Sequence, residues 1–227
     1  MSSTADRAAT PDAPSRTEDL AAPAGARRAT RRGRDTQRRL IAAAHEMFNT
    51  KPFDDTRIVD ITARAGVSAG SFYTYFASKE ALFQVVAEHV LEAMYGAPSR
   101  ERGNTERNPV RDIADASRQY FQVCLEHRMI AQSIERLRTA QPEVGASRRG
   151  VLLRGVKRTA EWIERLQVQG ICNPSLDPWY TALALQAMNI SVAYDQLVHR
   201  DEPDDIEALV AAVTPIWARA VGLDAWL

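Results

Sequence analysis

Apolar residues recur along most of this chain at intervals of three and four, the spacing of helices with one buried face. Leu40, Ile41, Ala44, Met47 and Phe48 form the first such run, and Pro52 in "NTKPF" disfavours its continuation. Ile58, Ile61, Thr62 and Ala65 predict a short second helix, with Thr56 as its N-cap and Gly66 as the left-handed residue that stops it. Val67 can then enter the core and Ser68 can cap a third helix, which makes a helix, a tight turn and another short helix. That is the helix-turn-helix pattern, whose second helix lies in the major groove of DNA. Ser78 caps a long fourth helix carrying Leu82, Phe83, Val86, Val90 and Met94 on one stripe down to Gly96.

After the polar loop "GAPSRERGNTERNP" the pattern predicts five more helices, about Val110–His127, Met129–Ala140, Glu143–Gln169, Pro178–His199 and Asp204–Val221. Prolines 109, 142, 178 and 203 fall at or just inside these starts, where a missing N–H costs little. No strand pattern and no internal repeat emerges. The expected fold is all-α, about nine helices, with a three-helix head in front of a larger helical domain.

Charge changes the picture at one end. The chain of 227 residues has a formal net charge of zero, yet "RRATRRGRDTQRR" sets Arg27, Arg28, Arg31, Arg32, Arg34, Arg38 and Arg39 against Asp35 alone. Such a block suits a duplex, because neutralising phosphates releases condensed counterions whatever the sequence. The first thirty or so residues, rich in Ala, Pro, Ser and Thr, bury too little to offset ordering and are expected to form a disordered basic arm over 1–33. No apolar run approaches the roughly 18 to 20 residues that span a bilayer, and "MSSTADRAATPDAPSRTEDL" lacks a secretory apolar segment, so a cytoplasmic protein without membrane contact is expected. Cys124 and Cys172 have no metal-ligand or CxxC spacing, so no metal and no cofactor is expected.

The segment from about Arg38 to Leu91 resembles the TetR family of transcriptional regulators. The matching elements are the apolar first helix, Phe53 and Thr56 of "PFDDT", the second helix and turn "DITARAGVS", the recognition segment "GSFYTYF", and "SKEAL" opening the fourth helix. Thr62 stands where the family usually has alanine, and Arg57 where a second threonine is common. The resemblance implies a helix-turn-helix DNA-binding domain over 34–80 and an effector-binding and dimerisation domain over 81–227.

Within the head, Phe72 and Phe76 should face inward while Ser71 and Tyr73 face groove and backbone. Ser68, Ala69, Gly70 and Ser71 are small enough for close approach to bases. Tyr73 and Tyr75 can offer hydroxyls to phosphates, and Lys79 can pair with the backbone through charge. The resemblance adds Thr56 to these contacts. The recognition helix has no Arg, Lys, Asn or Gln for bidentate base reading. Arg57 or Val59, thymine methyl contacts and DNA shape must then carry specificity.

In the larger domain, Tyr120, Phe121, Cys124, Met129, Trp162, Trp179, Asn189 and Tyr194 make a mostly apolar set with a few polar groups, the composition of a small-molecule pocket and equally of a core. Leu185, Met188 and Val192 on one helix, with Ile206, Val210, Val213 and Trp217 on the last, could form a four-helix interface across a two-fold axis, as the resemblance implies. His45, His89, His127 and His199 are scattered, and neither a Ser-His-Asp grouping with a supporting turn nor a glycine-rich phosphate loop occurs, so an enzyme is not expected. The expected function is a homodimeric, ligand-responsive regulator, chiefly a repressor, that binds a near-palindromic double-stranded operator and is released by a small apolar effector. The alternative is a relative that has lost DNA recognition and acts as a ligand-binding or adaptor protein.

Overall fold

The computed structural model describes residues 31–95, 108–202 and 205–227. Among them are nine α-helices and no strand. The head is α1 (Arg31–Phe48), α2 (Ile58–Ala65) and α3 (Ala69–Phe72). The larger domain is α4 (Lys79–Tyr95), α5 (Pro109–Glu126), α6 (Arg128–Ala140), α7 (Pro142–Val168), α8 (Pro178–Ala193) and α9 (Ile206–Val221). Two short pieces complete the chain, a π turn at Tyr194–Val198 and a 3-10 turn at Asp224–Trp226.

Local chemistry explains most boundaries. Asn108 accepts from the Val110 amide at 2.9 Å ahead of Pro109, and Asp177 accepts from the Tyr180 amide at 2.9 Å ahead of Pro178. Each side chain satisfies an amide that has no partner inside the helix. Pro142 opens α7, while Pro203 lies outside the described residues. At the other end of α2, Gly66 adopts φ 63°, and a Cβ there would stand 2.6 Å from the Arg39 guanidinium. Gly145 is fixed by a close approach instead, because its Cβ would meet the Arg138 carbonyl oxygen at 2.5 Å where α7 crosses the end of α6.

Three expectations about boundaries are corrected. Helix α1 starts at Arg31, so Arg31, Arg32 and Gly33 extend a helix rather than the arm, while residues 1–30 lie outside the described residues. Thr56 does not cap α2. The cap position is Arg57, which makes no capping bond, and the Thr56 hydroxyl donates to the Pro52 carbonyl instead. The helix expected to reach His199 keeps α geometry only to Ala193, then widens into the π turn. π turns concentrate at functional sites.

Packing sets the head on a ring cluster. Phe48, Phe53 and Phe83 meet pairwise with centroids 5.0 to 5.7 Å apart, joining α1 and the turn after it to α4. Phe72 and Phe76 are both buried and hold α3 against its neighbours. Helix α4 continues into the larger domain, packing on α5 and α7, so one rigid element serves both parts. Helix α7 also ties α4 with polar contacts: Ser147 donates to Glu88 at 3.0 Å, Arg154 pairs with Glu92, and Arg158 donates to the Tyr95 carbonyl. Helix α8 lies on α7, and α9 lies on α5.

Candidate nucleic-acid interface and effector site

The exposed edge of the head is built around α3. Ser68 accepts from the Ser71 amide at 3.2 Å, and the two hydroxyls are 2.8 Å apart, which sets the start of the helix. Ala69 and Gly70 are exposed, and nothing would lie within 4 Å of a Cβ at Gly70, so another surface can come close here. Tyr73 is 62% exposed, its ring edge-on to buried Phe72 at 5.3 Å, which orients the hydroxyl outward. Thr74 is also exposed beside it, a position the sequence reading did not single out. Tyr75 is half-buried and packs against the core. On α2, Val59 and Arg57 are exposed, and Arg57 forks onto Asp60 with bonds of 3.0 and 2.9 Å. The pair holds Arg57 along its own helix, and the hydrogen bond to Asp60 keeps that carboxyl below its ordinary range.

Two expected contacts have other jobs. Thr56 is 1% exposed, so its side chain sits inside the turn and cannot meet a duplex. Lys79 turns inward: Nζ donates to the Phe53 carbonyl at 2.8 Å and the Thr56 carbonyl at 2.9 Å, and lies 4.2 Å from the Phe53 ring centre. Two of its three N–H groups therefore hold the turn before α2. Arg39, the last member of the basic run expected to suit a duplex, instead clamps the Ala65 carbonyl and, at 2.8 Å, the Gly66 carbonyl. Arg39 thus locks the helix-turn-helix angle from α1.

In the larger domain the expected pocket residues separate. Tyr120, Phe121, Cys124 and Tyr194 are buried together. Trp162 is half-buried against the core on α7. Trp179 is 39% exposed at the start of α8, which removes it from an enclosed pocket. Asn189 donates to the Ser117 hydroxyl at 3.2 Å and accepts from the Trp217 indole N–H at 3.0 Å, so its amide is a tie between α8, α5 and α9. Met129 lines a cavity of about 390 Å³ with Pro52, Gln132, Ser133, Glu135, Arg136 and His199. That cavity lies at the seam of the two domains, where Asp54 pairs with Arg136 at 3.0 Å, Asn49 donates to the Glu126 carbonyl at 2.8 Å, and His45 and His127 meet at 4.8 Å.

The expected dimer stripe is largely spent inside the chain. Leu185 on α8 is buried in its own subunit, and so are Val210, Val213 and Trp217, because α9 turns that face onto α5. Met188, Val192 and Ile206 are half-buried. The outward faces of α8 and α9 instead carry Ala184, Ala187, Ser191, Ala208, Ala212 and Ile216.

A family model described as bacterial regulatory proteins, tetR family, matches residues 40–86, which run from the middle of α1 through α2 and α3 into the first half of α4. The HTH-type transcriptional regulator EthR of Mycolicibacterium smegmatis is 24% identical over 199 residues, covering 88% of this chain and 92% of its own length. The chain belongs to the TetR family. The HTH-type transcriptional regulator YvdT of Bacillus subtilis is 42% identical over 53 residues, covering 23% of this chain and 27% of its own. The fold is that of the TetR-family regulator PfmR of Thermus thermophilus, with a TM-score of 0.61 at 18% identity over 80% of this chain and 97% of that one. A TetR-family chain of this fold is a DNA-binding transcriptional regulator and not an enzyme. Among the described residues no helix is long and apolar enough to cross a membrane, and no group of three His, Cys, Asp or Glu could hold a metal ion.

Burial dominates the electrostatics of this TetR-family core. It pushes the Cys124 thiol up to about 12 and raises Tyr95, Tyr120 and Tyr194 above the ordinary tyrosine range. Arg148 stands among them. Desolvation alone would lower it, but its neighbours Tyr194, Tyr95 and Glu135 outweigh that and leave it above the ordinary arginine value. Tyr95, Glu135 and Arg148 escaped the sequence reading, since each sits on an ordinary amphipathic helix and only the packed fold turns it inward.

Proposed function

We propose that this regulator represses transcription as a homodimer on a near-palindromic operator and is released when a small, mainly apolar effector enters the larger domain. The observation that carries DNA recognition is the division of side chains on α3. Phe72 and Phe76 are buried while Ser68, Ala69, Gly70, Tyr73 and Thr74 form one exposed edge. The recognition edge therefore gives phosphate-bonding hydroxyls and close van der Waals approach rather than bidentate base contacts. Shape and methyl contacts take a larger share of specificity.

The outward small-residue faces of α8 and α9 support pairing of two chains through closely spaced helices, with Ile216 as the larger apolar contact. A two-fold pair sets recognition helices about one DNA turn apart, roughly 34 to 36 Å. Effector binding acts through α4, which runs from the head into the larger domain. A ligand that favours another α4 tilt shifts the population, and a typical coupling of about 1 to 3 kcal/mol lowers operator affinity ~5- to 150-fold.

Ala212→Arg tests the pairing. The variant should fold with unchanged helicity, sediment as a monomer and lose operator binding. A variant that stays dimeric shows that the outward faces of α8 and α9 are not the interface.

A further inference from the structure

Buried polar groups in native proteins are nearly always paired, and those that are not call for an explanation. Three lie in the larger domain without a partner in hydrogen-bonding geometry: Nε of Arg148, one carboxylate oxygen of Glu135, and the Tyr120 hydroxyl, whose neighbours Tyr95 and Tyr194 are also neighbours of Arg148. Tyr120 is more than nine-tenths buried, with the Tyr95 ring 5.5 Å away. Arg148 is mostly buried and its Nη2 faces Glu135 at 3.5 Å, too long for a good bond. Glu135 has a better partner, accepting from Arg138 at 2.7 Å. That bond is to Oε1, so the carboxylate keeps one cation when Arg148 turns to another acceptor, and Oε2 must rotate toward the cavity it borders. Tyr194 opens the π turn on the remaining side.

Glu135 also stands in the wall of the 390 Å³ cavity, and His199, another wall residue, lies 5.8 Å from the Tyr194 ring. The cavity and the unpaired cluster thus share a partition.

We infer that Arg148 and the Tyr120 hydroxyl form a head-group site for an amphipathic carboxylic acid, whose carboxylate takes the Arg148 fork in place of Glu135 and whose apolar part occupies the cavity beside Met129 and Pro52. The inference rests on the proposed effector-binding role and narrows its ligand class from apolar to amphipathic and anionic. A carboxylate suits the site because it supplies the acceptors that the two buried donors lack, and guanidinium to carboxylate is the strong planar pairing. The same ligand reaches the DNA-binding head by two routes. Pro52 belongs to the turn that Lys79 holds, and Ser147, next to Arg148, is bonded to Glu88 on α4.

The test uses the full chain at pH 7.5 with octanoate and its methyl ester, measured by isothermal titration. Octanoate should bind and the ester should bind at least tenfold more weakly. Arg148→Met should weaken octanoate on the order of tenfold or more while leaving the ester unchanged. Tyr120→Phe, which removes only the hydroxyl, should weaken octanoate by a smaller factor and decides the matter if Arg148→Met does not fold. Equal binding of acid and ester, or undiminished octanoate binding by a folded variant, overturns the head-group site while the effector-binding role stands. If neither compound binds, the carboxylate proposal falls together with a cavity open to short apolar chains.

Discussion

Lys79→Met separates a structural latch from a phosphate contact. The substitution keeps the aliphatic stem and removes two hydrogen bonds from a charged donor, at 2.8 and 2.9 Å, and the cation above the Phe53 ring at 4.2 Å. Hydrogen bonds to charged groups contribute about 1.5 to 3 kcal/mol each. An exposed cation–π contact adds about 0.5 to 1 kcal/mol. Lys79 is only half-buried, so water can replace part of what the two carbonyls lose. The net destabilisation should be about 2 to 3 kcal/mol. Urea unfolding at fixed protein concentration reads it directly. With a slope of about 2 to 3 kcal/mol/M for a chain of this size, the midpoint should fall by about 1 M. Operator affinity should fall as well, because the loosened turn no longer fixes α2 and α3. An unchanged midpoint with lost DNA binding would refute the latch and return Lys79 to a simple phosphate contact.

Gly66→Ala places a Cβ on a left-handed residue and against Arg39, so the head should lose about 1 to 3 kcal/mol in urea unfolding while α5 to α9 keep their helicity by circular dichroism. Asn189→Leu strands the Trp217 N–H and the Ser117 hydroxyl in the core, and should cost about 2 to 4 kcal/mol; a near-neutral result would show that these groups find other partners. Burial, together with the charge of His45 and against that of Glu126, lowers His127 below its ordinary 6.5. The unfolded chain therefore takes up a proton at higher pH than the folded one, so His127 adds no penalty well above pH 6.5 and costs stability as pH falls through that value toward the folded pKa. The urea midpoint of the parent should decline over this window more steeply than that of His127→Asn, and parallel profiles would remove His127 from the account.

Helix positions were legible because they rest on local rules. Prolines 109, 142 and 178 stand where N–H groups are not needed, and Gly66 stands where only a left-handed residue fits. The inward rings of Phe72 and Phe76 followed from their four-residue spacing. Partner choice was not legible. The stripe Val210, Val213, Trp217 shows that α9 has an apolar face but not that α5, rather than a second chain, covers it. Lys79 looked free because the carbonyls that bind it lie more than twenty residues earlier in the chain. Arg39 and Arg148 were lost for the same reason. An arginine in a basic run or on an amphipathic helix gives no sign of a tertiary acceptor.

The central claim is that an exposed α3 edge on a two-fold protein reads DNA. Selection of a random duplex library by the full chain, repeated with Tyr73→Ala, tests it most directly. Enriched duplexes should contain two inverted half-sites centred about ten base pairs apart, and the folded variant should lose them. Enrichment of single unrepeated motifs, or equal enrichment by Tyr73→Ala, would contradict the account.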